Sequence, residues 1–293
     1  MPLNTLLVCD DQTSVGQIHE LIAEEPSLTL IDTVSSDQAV AQIARIVPEL
    51  VWVDLHTSPV RGLAVIAQLR ESNPEISVLT SYGTLDAELV RTAYRLGACD
   101  ILESGSWKTE LAPTLKRVEG RRALSVVSGQ KPYVITGPVD KDHPLTVLLV
   151  CDAGKEKLLA IEGLLKEKKQ LRLFATVSIA DALAKARFLS PKLIWIELSP
   201  NPDRALALLA DLKQNLPKTN IFVSYDVPDA QLIRDSYRLG ASDFLDAERW
   251  KTDFGAALKA ILPRQKQTTL PLFLVVALLM LVVLALALFI LHR

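Results

Sequence analysis

Apolar residues in this chain fall into short dense runs, separated by longer segments in which they recur every three or four positions. Leu3–Cys9, Leu28–Val34, Leu50–Asp54, Ile76–Thr80 and Cys99–Leu102 are runs of the first kind and read as strands. The segments between them, Val15–Glu24, Asp37–Ile46, Gly62–Glu71 and Leu85–Leu96, carry helical periodicity, and a closing helix is expected from Trp107 to about Arg122. Five β-α units joined by short polar connections force parallel pairing through helical crossovers. The prediction is an α/β fold with a doubly wound parallel sheet of about 120 residues.

The pattern then starts again. Leu6-Leu7-Val8-Cys9-Asp10 recurs as Leu148-Leu149-Val150-Cys151-Asp152, and Leu50-Val51-Trp52-Val53-Asp54 as Leu193-Ile194-Trp195-Ile196-Glu197. Tyr94-Arg95-Leu96-Gly97-Ala98 returns as Tyr237-Arg238-Leu239-Gly240-Ala241, and Trp107-Lys108-Thr109 as Trp250-Lys251-Thr252. An offset that stays at 142 or 143 residues from first strand to last helix means a duplicated domain. The expected boundaries are residues 1–125 for the first domain, 126–142 for a linker rich in Pro and Gly, and 143–264 for the second domain.

Beyond them Leu270–Leu291 contains no charged residue. At 1.5 Å per residue such a run reaches roughly 33 Å, enough for a transmembrane helix. Lys259, Arg264 and Lys266 precede it and only His292 and Arg293 follow, which places both domains on the cytoplasmic side of a C-terminal, single-pass anchor.

Charge is balanced overall, with 32 basic and 34 acidic residues, so the composition does not call for nucleic acid as a partner. The halves differ, however: residues 1–125 are net −7 and residues 143–264 net +3, and the basic half adjoins the apolar run. Cys9, Cys99 and Cys151 show no Cys-x-x-Cys spacing and the four histidines no metal-ligand spacing, which argues against zinc chemistry. No glycine-rich phosphate loop follows the first strand of either half, which counts against a nucleotide- or flavin-dependent enzyme. Signals would leave such a chain through protein contacts, and it reads as a non-enzyme.

The candidate chemistry lies in acids at strand ends. In a doubly wound sheet the first and third strands are neighbours and the ligand crevice opens at their carboxyl ends, where Asp10, Asp11 and Asp54 would meet. Three carboxylates there would suit Mg²⁺. Singly, each acid would serve equally well as a helix cap.

On these residues both repeats resemble response-regulator receiver domains, over roughly residues 3–122 and 145–262. The resemblance implies that Asp10 and Asp11, with Asp54, bind Mg²⁺, that Asp54 accepts a phosphoryl group from a histidine kinase, and that Thr80, in Leu79-Thr80-Ser81-Tyr82-Gly83, contacts it. Gly62 stands where that family has a glycine. The pattern also departs from the family. Ser104 and Gly105 replace its Lys-Pro pair, and Ile101 replaces its aromatic switch residue. The second repeat, with Asp152, Ala153, Glu197, Val223 and Ala247 at the corresponding places, looks like an inactive pseudo-receiver. The implied function is a membrane-tethered two-component protein in a phosphorelay, with slow phosphorylation of Asp54. The alternative is a phosphorylation-independent pseudo-receiver scaffold at the membrane. The Tyr-Arg-Leu-Gly-Ala and Trp-Lys-Thr segments flank the fifth strand, the face receivers use to dimerise, and they suit either an oligomer interface or the core.

Overall fold

A computed structural model describes residues 2–84, 86–128, 144–227 and 229–262, the last eight residues of the second segment by backbone alone. The first repeat runs β1 (Leu3–Val8), α1 (Gln12–Glu24), β2 (Leu28–Val34), α2 (Ser36–Ile46), β3 (Leu50–Asp54), α3 (Pro59–Ser72), β4 (Ser77–Tyr82), α4 (Ala87–Leu96), β5 (Asp100–Glu103) and α5 (Trp107–Ser128). The second repeats it as β6 (Leu145–Val150), α6 (Lys155–Glu167), β7 (Leu171–Val177), α7 (Ile179–Leu189), β8 (Leu193–Glu197), α8 (Pro202–Asn215), β9 (Asn220–Tyr225), α9 (Ala230–Arg238), β10 (Asp243–Asp246) and α10 (Trp250–Ile261).

Each repeat forms one parallel five-stranded sheet, in the orders β2-β1-β3-β4-β5 and β7-β6-β8-β9-β10. These are two flavodoxin-like doubly wound domains, as the alternating runs predict. Helix α5 continues to Ser128, past the expected end at Arg122, because Arg-Ala-Leu-Ser-Val-Val contains no helix breaker. It takes in the first three residues of the expected linker, whose remainder lies outside the described residues. So does Leu270–Leu291. Among the described residues no helix is long and apolar enough to cross a membrane.

On one face of each sheet the repeated tryptophans belong to the core. Trp52 meets Trp107 edge to face at 6.5 Å, and Trp195 meets Trp250 at 6.2 Å. Gly62 and Gly83 mark close approaches: a Cβ on Gly62 would collide with Leu55, and one on Gly83 would lie 2.5 Å from the His56 ring.

The two domains pack together through α4, β5 and α5 of the first and α9, β10 and α10 of the second, about a pseudo-two-fold axis. Helix α4 lies against α9, and Tyr94 stacks on Tyr237 with ring centroids 4.4 Å apart. Val90, Ile101, Ile233 and Phe244 are buried in one apolar cluster that draws on both repeats. Four ion pairs related by the pseudosymmetry surround it: Arg91 to Asp253 at 2.6 Å and Arg234 to Glu110 at 3.2 Å, then Arg95 to Asp243 at 2.9 Å and Arg238 to Asp100 at 3.0 Å. Burial works against the Arg95 cation, but Asp243 outweighs it and keeps the guanidinium charged. Buried pairs of this kind add little net stability, yet each is costly to break and they define one register. Tyr94, Arg95, Tyr237 and Arg238 therefore form an interface inside a single chain, while the Trp-Lys-Thr tryptophans are core.

Candidate functional site

Asp54 closes β3 and is 5% exposed. Its register partner on β4 is Ser81, whose hydroxyl donates to Oδ1 at 2.8 Å; the Cys9 thiol donates to Oδ2 at 3.5 Å. The Trp52 indole N–H in turn donates to Ser81 Oγ at 2.9 Å, so the hydroxyl is held with its proton toward the carboxylate. Burial pushes the Asp54 carboxyl above its ordinary range, against the pull of Ser81, Cys9, His56 and Ser14. Burial likewise pushes the Cys9 thiol up to about 12, which makes it a hydrogen-bond donor and a poor nucleophile.

Thr80 does not take the place expected of it. It pairs with Val53, is fully buried, and donates its hydroxyl to the Asp100 carbonyl at 3.4 Å. The reason is strand alternation: β4 extends to Tyr82, Asp54 faces Ser81, and the neighbouring residue points to the other side of the sheet. The same correction applies to Val223, which is buried in the core while Ser224 faces Glu197.

Asp10 and Asp11 are both occupied as caps. The Ser36 backbone N–H and hydroxyl each bond Asp10 at 2.8 Å, holding the start of α2. Burial raises the pKa of Asp10, but these bonds outweigh it and keep the carboxyl below its ordinary range. Asp11 is the N-cap of α1 and accepts from the Ser14 backbone at 3.0 Å and hydroxyl at 2.9 Å, which lowers its pKa too. Mg²⁺ needs several oxygens converging octahedrally. Here Asp10, Asp11 and Asp54 are each turned to other donors, and among the described residues no group of three or more His, Cys, Asp or Glu is placed to hold a metal. The expected three-acid ligand set is not assembled. The capping role is observed for Asp10 and Asp11, whereas Asp54 caps no helix and accepts from Ser81 and Cys9. Ser104, at the place of the family's lysine, donates to the Gly83 carbonyl at 3.1 Å and carries no charge.

The second pocket repeats the scaffold and changes the charge. Trp195 Nε1 donates to Ser224 Oγ at 2.8 Å, and Ser224 donates to Glu197, which is wholly buried. Asp152 accepts the Ile179 backbone N–H at 3.1 Å, as Asp10 accepts that of Ser36. Where the first repeat has Ser14, the second has Lys157. Its ammonium lies 2.8 Å from Glu197 Oε1, 2.6 Å from Asp226 and 3.0 Å from Ser199 Oγ. Burial opposes the ammonium, but Asp226 and Glu197 outweigh it and hold the Lys157 pKa above 10.5. Lys157 was not legible as a site residue. Its signal is that it replaces Ser14 at the 143-residue offset, beside a strand-end acid.

No protein-family profile matches the chain. A curated relative, protein-glutamate methylesterase/protein-glutamine glutaminase 4 of Geobacter metallireducens, is 34% identical over 92 residues, 31% of this chain. The match spans 26% of that relative's length. Similar solved structures include the receiver domain of RcsB from Salmonella enterica serovar Typhimurium (12% identity, 45% of this chain, 92% of that one, TM-score 0.36). The response regulator domain of Thermotoga maritima CheB gives 15% identity, 42% and 98% coverage and a TM-score of 0.37. The receiver domain of an HD domain-containing protein from Pseudomonas fluorescens Pf-5 gives 20%, 42%, 99% and 0.38. The flavodoxin-like architecture of the two repeats rests on their strand order and register.

Proposed function

We propose that this chain is a membrane-tethered, two-component-type signalling scaffold whose two receiver domains are paired within one polypeptide and act through protein contacts, without catalysis of their own. The observation that supports this reading best is the surroundings of Asp54. A hydroxyl, a thiol, Ser14 and His56 meet it, and the lysine position holds Ser104. An acyl phosphate there would add negative charge to a buried carboxylate without a positioned cation, which commonly costs several kcal/mol of electrostatic stabilisation. The second pocket carries its cation internally and has Glu, a poor substitute for an Asp acceptor. Tethering follows from Leu270–Leu291 and the basic residues before it, and places both domains at the cytoplasmic face. A histidine kinase is then one class of partner that such a surface can bind without transferring phosphate.

The test is to incubate the detergent-solubilised full chain with acetyl phosphate and Mg²⁺ and follow intact mass, beside Asp54→Asn. Slow, substoichiometric gain is expected. Rapid, stoichiometric and Asp54-dependent addition of one phosphoryl group would replace this reading with that of a working receiver.

A further inference from the structure

The two domains differ most at the pole opposite their acid pockets. In a parallel sheet every strand begins at one pole, and the intervening helices end there. In both domains equivalent hydrogen bonds tie these ends together, and the difference is one of charge. Leu145 N–H donates to the Gln170 carbonyl at 2.7 Å, Lys192 N–H to Thr146 at 3.1 Å, and Asn220 N–H to the Lys192 carbonyl at 3.3 Å, while the Arg187 guanidinium reaches Asn215. The three helix-to-strand turns at this pole, residues 166–172, 185–192 and 211–219, hold nine basic and two acidic residues. Their counterparts in the first domain, residues 23–29, 42–49 and 68–76, hold two basic and five acidic. Among the basic turns Phe188 is 82% exposed beside Lys185 and Arg187.

Helix α10 runs antiparallel to the strands, so its end at Ile261 stands at this same pole, and Ile261 and Leu262 pack in the cluster that contains Leu145 and Leu193. From there the chain proceeds through Arg264 and Lys266 to Leu270–Leu291. We infer that this pole of the second domain is a docking surface for an anionic lipid bilayer, with Lys169, Arg172, Lys185 and Lys192 facing the headgroups and Phe188 entering the interface. The inference rests on the tethering read from Leu270–Leu291. Only seven residues separate Leu262 from that run, which keeps the pole near the membrane. Clustered Lys and Arg are drawn to anionic lipid, and an exposed aromatic suits the boundary between headgroup and chain. The acidic pole of the first domain would be repelled, which orients the pair with the second domain toward the bilayer.

Flotation of the full chain with pure phosphatidylcholine vesicles tests the tether alone, and failure to float removes that reading. For the pole, hydrogen exchange is compared in full chain reconstituted with and without phosphatidylserine. The expected result is exchange about tenfold slower at residues 166–172 and 185–192 when phosphatidylserine is present, no change at residues 23–29 and 42–49, and loss of the effect in high salt. The triple variant Lys169→Glu, Lys185→Glu, Lys192→Glu should abolish it. Should that variant misfold, Phe188→Ser and the salt series give the same readout. Exchange independent of lipid charge in a chain that floats overturns the docking surface and leaves the tether standing. Equal protection of the solubilised chain by a short DNA duplex would assign the pole to nucleic acid and overturn it as well.

Discussion

Two pockets built on one scaffold have settled their charge differently. In both, a strand tryptophan holds a serine hydroxyl against a buried acid: Trp52, Ser81 and Asp54 in the first, Trp195, Ser224 and Glu197 in the second. The first leaves its carboxylate to the Ser81, Cys9 and Ser14 donors with His56 nearby, and burial raises its pKa. The second inserts Lys157, which joins Glu197 to Asp226 and Ser199 and so clamps the start of α6 to the loops after β8 and β9. An isolated buried charge is expensive, and a paired one is expensive to unpair. Burial therefore works against the charge in the first pocket, and in the second Lys157 balances it.

Removing the clamp should show this most strongly. Lys157→Met leaves Glu197 buried without a counter-ion and should destabilise the full chain by about 3 kcal/mol. Ser14→Ala, at the equivalent place, removes the hydroxyl bond to Asp11 but not the backbone one, and should cost about 1 kcal/mol. Denaturant midpoints decide between them, and equal losses would mean that Lys157 is only a surface residue.

The interface offers a second contrast. Asp100 is held by both Arg238 and Arg117, the latter at 2.8 Å, whereas Asp243 relies on Arg95. Arg95→Ala should therefore cost about 2 kcal/mol and Arg238→Ala about half of that. A reversed order in thermal unfolding would break the asymmetry argued here.

The smallest effects are those of charge alone, and they should have opposite signs. Asp54→Asn keeps the bond from Ser81 and removes a buried charge, so it should stabilise by about 1 kcal/mol; Glu197→Gln takes one of its two carboxylate partners from Lys157, leaving Asp226, and should destabilise by a similar amount. The pH dependence follows the same logic. Asp54 has a raised pKa, so its ionisation weakens the fold, and lowering the pH through that pKa relieves it. The raised pKa of Lys157 makes its contribution complete below 10.5 and lost only as pH rises through the folded value. Asp226, lowered by Lys157, contributes fully above 3.8 and loses its contribution as pH falls through its own folded value. Between those limits both Lys157 and Asp226 contribute in full. Midpoints measured against pH for wild type and Asp54→Asn would expose any departure.

The duplication, the strand runs and the acids at their ends were legible because each is a local signal: apolar density, the 143-residue echo, and a carboxylate where such a run stops. Those signals establish two α/β domains and an acid at the end of each third strand, Asp54 and Glu197, expected to open into a crevice; their burial comes from the fold. Which hydroxyl meets Asp54 was decided by register, since one residue of difference along β4 turns Thr80 away and Ser81 toward it. Whether Asp10, Asp11 and Asp54 gather as ligands was decided by competing donors, Ser36 and Ser14, which come from helix starts that the acids also cap. The pairing of the domains through Tyr94 and Tyr237 was decided in three dimensions as well. On either helix alone, Arg91 and Arg95 or Arg234 and Arg238 resemble a solvated charged face; only the fold brings Asp253, Asp243, Glu110 and Asp100 opposite them. Local pattern reports what a residue can bury or pair, and the partner it finds depends on other segments, 26 or 27 residues away for Asp10 and Asp54 and more than a hundred away across the interface.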